Sequence, residues 1–396
     1  MKKLLRAYKV EIKSTLEQKM KIDQSIGICR YLYNFYLGKN KELYQQYKGG
    51  LIEKKQAFMS ANNFDKYINN EVKVLEEYQW INKCGSKARK KAICNAEAAY
   101  KKFFKGESKF PRFKKKNKSD VKLYFPKNNK GDWKVYRHKI MIPSLKNVRL
   151  KECGYIPTNA KVGSGTVSKS ADRYYVSVLV ETDIVNPNIS TNDGIGVDLG
   201  LKDFAVISNR IFKKNINKTV TVKKLEKKLK REQRKLSRKY ESLKLRNKNK
   251  KEEATRQNIQ KQVVRVQKIH QTLANIRTNY INKVVFDIVK QNPSFITIED
   301  LNIKGMMKNK HLSKAVAGQK FFEFRTKLTN KCNWMSIELR IVYRFYPSSK
   351  LCHECSSIKK DLKLSDRIYR CECGYEEDRD INASLNLRDA KIYKIA

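Results

Sequence analysis

Ile195-Gly196-Val197-Asp198-Leu199-Gly200-Leu201 is the stretch on which the reading of this chain turns. It reads as an apolar strand with one carboxylate inside it. A buried carboxylate is costly unless it meets a cation, and the flanking glycines let a substrate backbone approach closely. A second strand, Phe204-Ala205-Val206-Ile207-Ser208, follows at once. Further on, Ser294-Phe295-Ile296-Thr297-Ile298-Glu299 is another buried strand that finishes in a carboxylate. Asp380 lies in Asp378-Arg379-Asp380-Ile381-Asn382-Ala383-Ser384-Leu385-Asn386-Leu387, at the start of a helix. Taken singly each acid is a weak signal, because Asp203, Asp300 and Asp378 stand beside them and Asp at a helix start is commonly an N-cap. As a set, three acids on separate rigid elements match the needs of two-metal phosphodiester hydrolysis. That chemistry holds two Mg²⁺ roughly 3.5–4 Å apart between converging carboxylates.

Between the first two acidic strands lie two long helices. Residues 223–251 carry 15 Lys/Arg against three acids, with Leu225, Leu229 and Leu236 as a thin apolar seam. So one-signed a run is not held by ion pairs and points to a polyanion. Val266, Ile269, Leu273, Ile276, Tyr280, Val284 and Ile288 then form a helical stripe that ends before Asn292-Pro293. The pair reads as a helical hairpin inserted into, or packed on, an α/β domain.

Four of the nine cysteines cluster as Cys352-His353-Glu354-Cys355 and Cys371-Glu372-Cys373. Two close thiolate pairs match a closed, structural tetrahedral zinc site with no open position for water. His353 is a possible substitute ligand, with the bystander role favoured. Cys29, Cys84, Cys94, Cys153 and Cys332 are scattered. Scattered thiols with no export signal suggest a reducing cytoplasm rather than a disulfide framework.

Upstream, residues 4–13 read as a strand, and Ser14-Thr15-Leu16-Glu17 has the form of a capping box opening a helix. Ile22, Ile26, Cys29, Tyr33 and Tyr36 mark its apolar face. A second helical stretch runs from Ser86 to Phe104, with an alanine stripe and a basic opposite side. Lys109-Phe110-Pro111-Arg112-Phe113-Lys114-Lys115-Lys116 either stacks on bases and grips phosphates or is an extended linker with two anchoring phenylalanines. Residues 121–182 turn to short β-rich runs, a small barrel or sandwich. Residues 183–193 read as a linker.

The whole chain has 396 residues, with Lys+Arg 88 and Asp+Glu 39, a net charge of +49. Such an excess repels itself unless a polyanion neutralises it, and its spread along the chain suits a long polynucleotide. No apolar run reaches ~18 residues, so no membrane-spanning helix is expected. Nor does the N-terminus read as a secretory signal. Candidate nucleic-acid contacts are Lys87, Lys90, Lys109, Phe110, Arg112, Arg231, Arg234 and Arg277.

The strand Gly196-Val197-Asp198-Leu199-Gly200, the strand ending Glu299-Asp300-Leu301 and the tail together resemble the TnpB (OrfB) proteins of insertion sequences, relatives of compact type V CRISPR effectors. The tail runs Tyr346-Pro347-Ser348-Ser349-Lys350, the four cysteines, then Asp378-Arg379-Asp380-x-Asn382-Ala383-Ser384. Cys29-Arg30-Tyr31-Leu32-Tyr33-Asn34, the Phe103–Phe113 run and Leu273-Ala274-Asn275-x-Arg277 also look like the family. The resemblance implies a multidomain α+β protein. Its core would be an RNase H-like (RuvC) nuclease domain at 186–346 and 376–396, with an inserted helical hairpin and a zinc ribbon at 347–375. A wedge β-barrel at 1–13 and 118–185 and a helical recognition domain at 14–117 would precede it. It implies Asp198, Glu299 and Asp380 as the catalytic, magnesium-binding trio, two Mg²⁺, and one structural Zn²⁺ on Cys352, Cys355, Cys371 and Cys373. The implied partners are a guide RNA and double-stranded target DNA cut beside a short target-adjacent motif, with no membrane and no small-molecule substrate. Two features depart from the family: Ser356-Ser357 stands where many members have Gly, and Ile12-Lys13-Ser14 replaces the usual Tyr-Pro.

Other readings stay open on sequence alone. They are a type V CRISPR effector, a nuclease-dead RNA-guided repressor, a transposase joining DNA ends, and a zinc-ribbon RNA-binding structural protein. The retained acids speak against the repressor, and the lack of a His-x-His pair against tyrosine transposition.

Overall fold

The computed structural model describes residues 3–116, 121–126, 132–158, 161–183, 192–248, 256–363 and 365–396. Most of the predicted linker at 183–193 and the first residues of the predicted second wedge segment, 118–120, lie outside them. The chain forms two compact units, divided between Thr182 and Asp183.

In the N-terminal unit, β1 (Lys3–Lys13) leads into α1 (Leu16–Lys48), α2 (Ala61–Tyr67) and α3 (Ser86–Phe104). Six strands follow: β2 (Leu123–Pro126), β3 (Lys134–Val135), β4 (Lys139–Ile142), β5 (Lys146–Leu150), β6 (Val162–Ser170) and β7 (Arg173–Asp183). All seven strands join one sheet in the order β2-β6-β7-β1-β5-β4-β3. The sheet curls back on itself. Trp133, at the β3 end, lies so close to Gly165 of β6 that a Cβ there would stand 2.2 Å from the indole. The capping box sits one residue later than the sequence suggests. Thr15 Oγ1 accepts from the Gln18 N–H, and Gln18 Oε1 accepts from the Thr15 N–H. Gln18 is preferred over Glu17 because its amide also donates, to the Leu145 and Asn147 carbonyls at 3.2 and 2.9 Å.

The C-terminal unit begins with a three-strand meander, β8 (Ile195–Leu199), β9 (Asp203–Ile207) and β10 (Ile211–Lys214). The long helices α4 (Val220–Lys248) and α5 (Gln257–Val289) intervene before β11 (Phe295–Glu299). Then come α6 (Ile303–Met306), α7 (Ser313–Gln319), α8 (Phe321–Met335) and β12 (Glu338–Val342). A two-stranded ribbon, β13 (Ile368–Arg370) and β14 (Glu376–Asp378), precedes α9 (Arg379–Arg388) and the closing β15 (Tyr393–Ile395). The main sheet runs β10-β9-β8-β11-β12-β15. Its first three strands are antiparallel, while β11 lies parallel to both β8 and β12. The α5 stripe explains this arrangement. Ile281, Val284, Val285 and Ile288 are buried against Phe204, Ile296 and Phe324, so α5 is the cover that a parallel, double-faced sheet requires. The α4–α5 seam is thin: Val222, Ile269 and Leu273 are its buried residues, and buried Gln262 donates to the Glu232 carbonyl and carboxylate. No helix among the described residues is long and apolar enough to cross a membrane.

Candidate active site and cysteine cluster

The parallel register of β11 on β8 pairs Ile298 with Val197. One step further, Glu299 therefore lies beside Asp198, and residues in register on neighbouring strands point to the same face. Two residues back from Asp198, Gly196 shares that face, and its missing side chain lets α9 lie on the strand. A Cβ at Gly196 would stand 1.9 Å from the Ser384 carbonyl oxygen and 2.5 Å from the Arg388 nitrogen. Four helical residues before Ser384 is Asp380. Four residues of helix advance about 6 Å, nearly matching the two strand residues, about 6.6 Å, from Gly196 to Asp198. The close packing of α9 at Gly196 thus carries Asp380 over Asp198. Asp380 is not the N-cap. That role falls to Asp378, whose carboxylate accepts from the Asp380 and Ile381 N–H groups, leaving Asp380 free to face the sheet.

The electrostatics agree with this convergence. Burial pushes the Asp198 carboxyl well above its ordinary range, and the charges of Glu299 and Asp380 push it further, against the Arg379 guanidinium and the Leu199 N–H. Burial also raises Glu299, while the Ser348 hydroxyl, donating to Glu299 Oε1 at 2.7 Å, opposes the rise. Arg379 lies 3.3 Å from Asp380, whose side chain stays 18% exposed. Mutually repelling, desolvated carboxylates are a set whose chemistry fits a divalent cation. Their oxygens do not all come within 4.8 Å of one another, as a single small ion would draw them. A pair of ions spaced by about 3.5–4 Å needs a wider donor set.

Among the described residues, the group of metal-type ligands that does close within 4.8 Å is Cys352, Cys355, Cys371 and Cys373. Cys352 Sγ lies 3.7 Å from Cys373 Sγ, and Cys355 Sγ 3.5 Å from Cys371 Sγ. Tetrahedral thiolates at a zinc bond length of about 2.3 Å stand about 3.8 Å apart, so the cage fits Zn²⁺. Ser357 and the Cys373 N–H hold the Cys371 thiol down to about 6, whereas burial pushes Cys352 up to about 12. Gly374 takes φ +89° in the second knuckle, and Ser356 holds the left-handed φ of 60° in the first. His353 stands outside the cage, with its backbone N–H on Asn382.

Asn382 and Asn386, one turn apart on α9 and both buried, staple this segment to the helix. Asn382 donates to the Leu351 carbonyl at 2.8 Å; Asn386 donates to the Ser348 and Leu351 carbonyls at 2.8 and 2.7 Å. One helix therefore carries Asp380, anchors the cysteine segment and fixes the serine that orients Glu299. Sequence reading missed Ser348, Asn386 and the Arg325–Asp300–Arg344 bridge, in which both guanidiniums contact one carboxylate at 2.7 and 2.9 Å. Only the Asx-rich spacing of the α9 motif hinted at the staple.

The candidate nucleic-acid residues are scattered in environment. Lys90, Lys109, Arg112, Arg231 and Arg234 are exposed. Lys87 lies 3.4 Å from Asp132. Phe110 joins an aromatic cluster, edge-on to Tyr100 and Phe103 at 5.6 and 5.2 Å. Arg277 is largely covered and works inside the fold, donating to Asn217 at 2.7 Å and Glu226 at 2.8 Å.

Three family models match the chain: a helix-turn-helix domain of OrfB from IS605 over residues 1–49, the "Probable transposase" model of OrfB from IS605 over 175–310, and the Cas12f1-like TNB domain over 321–387. A Streptomyces pristinaespiralis protein named "Putative RNA-guided DNA endonuclease" is 27% identical over 98% of this chain and 89% of its own. Over nearly its whole length the chain is similar to proteins so described, and two of its segments match models of OrfB from IS605. The Escherichia coli relative "Putative RNA-guided DNA endonuclease InsQ" is 28% identical over 97% of this chain and 92% of its own. The Cas12f1 chain in a solved complex with sgRNA and target DNA aligns with 99% of this chain and 100% of its own, at a TM-score of 0.56 and 13% identity. That likeness shows the mixed α/β fold of a compact Cas12 effector.

Proposed function

We propose that this chain is an RNA-guided DNA endonuclease of the TnpB family. It cuts double-stranded DNA beside a short target-adjacent motif, using one RuvC-like site. Two relatives that span nearly the whole chain carry the endonuclease description. The observation that carries the reading is the contact of α9 on Gly196, which brings Asp380 over Asp198 while Glu299 stands beside it. The meander followed by parallel strands supports an RNase H-like core at 186–346 and 376–396.

Asp198, Glu299 and Asp380 would hold two Mg²⁺, which when bound acidify an attacking water and neutralise the leaving oxygen. The protein's own groups prepare that event. Ser348 orients Glu299, and Arg379 donates to Asp380. Water adds to the scissile phosphorus and the P–O bond to the leaving sugar breaks, giving a phosphate and a hydroxyl. With one such site, the two strands are cut in turn, each entering as a single strand.

The four cysteines would hold one Zn²⁺ that fixes the 347–375 loop. Sequence specificity comes from guide–target pairing, with the protein holding the heteroduplex by its backbone. The wedge role of the curled sheet, the recognition role of α1–α3, a transposon origin, and phosphate contact by Lys87, Lys90, Lys109, Arg112, Arg231 and Arg234 belong to this proposal. Phe110 and Arg277 would act through the surfaces they brace.

The test is the full chain with its copurified RNA, Mg²⁺ and a plasmid bearing the matching target. Cutting that is lost by about a hundred- to a thousandfold in Asp198→Ala is expected, the size of effect seen when a transition-state group is removed. Binding without nicking by the unsubstituted protein overturns the nuclease reading.

A further inference from the structure

Beside Glu299 the C-terminal unit has a cavity of about 410 Å³, within the roughly 300–1,000 Å³ of sites that enclose a small organic group. Its floor is apolar: Ile298 and Phe321 are buried, and Leu199, the residue after Asp198, lines one side. On its rim stands Phe322, 72% exposed at the first turn of α8. Phe322 follows Phe321, which the core claims, so its own exposure is not required by packing.

The lining also carries cations. Arg325, one turn along α8 from Phe322, and Arg344, just beyond β12, both line the cavity, and each reaches one oxygen of Asp300. One carboxylate cannot neutralise two guanidiniums, so the bridge keeps a net positive charge while holding both side chains in place. Exposed Lys304 adds to it. An apolar slot, an exposed aromatic face and a fixed cationic edge, with Glu299 in the same lining, describe the complement of a nucleotide. The base supplies a π-face for Phe322, and its phosphodiester supplies the charge for Arg344.

We infer that this cavity is a nucleotide subsite: it seats the base next to the scissile bond on Phe322 and holds the adjoining phosphate with the Asp300-braced Arg325 and Arg344. The inference rests on the nuclease reading and deepens it. The subsite fixes the strand's register against Asp198, Glu299 and Asp380, and it selects single-stranded over paired substrate, because a base must leave the duplex to enter.

The experiment uses the full chain with its copurified RNA and a target strand carrying 2-aminopurine at successive positions around the cut. Binding is expected to quench the probe at one position, in Asp198→Ala as in the unsubstituted protein, through stacking on an aromatic ring. Phe322→Ala restores the fluorescence at that position and raises KM by about tenfold, with an unchanged melting temperature, as suits so exposed a side chain. Arg344→Gln raises KM likewise but leaves the quenching in place. Unchanged fluorescence and KM in Phe322→Ala and unchanged KM in Arg344→Gln overturn the subsite. If the unsubstituted protein quenches at that position without cutting, the nuclease reading fails and the subsite stands. If it neither quenches nor cuts, both fail.

Discussion

Cys352, Cys355, Cys371 and Cys373 come from one short segment and close to within 4.8 Å of one another, whereas Asp198, Glu299 and Asp380 come from two strands and a helix and stand wider apart. The difference teaches what each cluster depends on. Two knuckles bring the thiols together, so the cage is built by local turns. The acids converge only because the sheet register and one glycine contact allow it, and they repel one another until charge is supplied. The first cluster depends on local turns, the second on distant backbone.

Removing zinc, by chelation or by Cys352→Ser, is expected to have the largest effect. Free energies of structural zinc sites are about 10–16 kcal/mol in small peptides, so the 347–375 loop should become protease-sensitive and metal content should fall from one zinc per chain to none. Because Asn382, Asn386 and Ser348 join this segment to Glu299, cleavage should fall with it. A zinc-free protein that cuts normally and resists proteolysis would break the link between the clusters.

Gly196→Ala probes the other side. The added Cβ meets backbone atoms of α9 at 1.9 and 2.5 Å, which no rotamer change relieves. A shift of α9 costs about 1–3 kcal/mol, and misplacing a reacting group by about 1 Å costs on the order of a hundredfold in rate. Zinc content should stay at one per chain, which atomic emission can verify alongside the cleavage rate.

The sheet end owes its architecture to signals a sequence displays. The α5 stripe and the carboxylate-ended strands follow from periodicity and from the cost of burying an acid. The Gly196–Ser384 contact does not, since nothing in Gly196 names the helix that lands on it. Arg277 and Phe110 were legible as a cation and an aromatic, but not as the partners of Asn217, Glu226 and Tyr100 that engage them. Asp300 looked like a decoy beside Glu299. Its true partners, Arg325 and Arg344, are set by how α8 and β12 pack.

A smaller effect concerns pH. Asp198 and Glu299 are both raised above their ordinary values. Over the window from the unfolded carboxylate pKa upward, the folded state holds more protons, so their contribution to stability falls as pH rises. Carboxyls held low elsewhere, such as Glu323 and Asp300, act in the opposite sense and are common to both proteins in a comparison with Asp198→Asn. Melting temperatures without divalent ions should therefore drop more with rising pH in the unsubstituted protein than in Asp198→Asn, and saturating Mg²⁺ should abolish the difference. Parallel profiles would show that the Asp198 carboxyl is not raised in the fold.

Smallest of all, Ser356→Gly should stabilise the cysteine loop by about 1 kcal/mol, since a left-handed φ costs a non-glycine residue about that much. Thermal denaturation of the zinc-loaded chain reads it directly, and a loss of stability would mean that the Ser356 side chain makes a contribution larger than its backbone strain.

The most direct test of the account is anomalous diffraction from crystals of the chain soaked in Mn²⁺ as a stand-in for Mg²⁺. Manganese peaks in contact with Asp198, Glu299 and Asp380 together, absent from Asp198→Ala crystals, are the predicted result. Peaks that touch none of the three, or that touch one while the others face away, would contradict a shared divalent-ion site for phosphodiester cleavage.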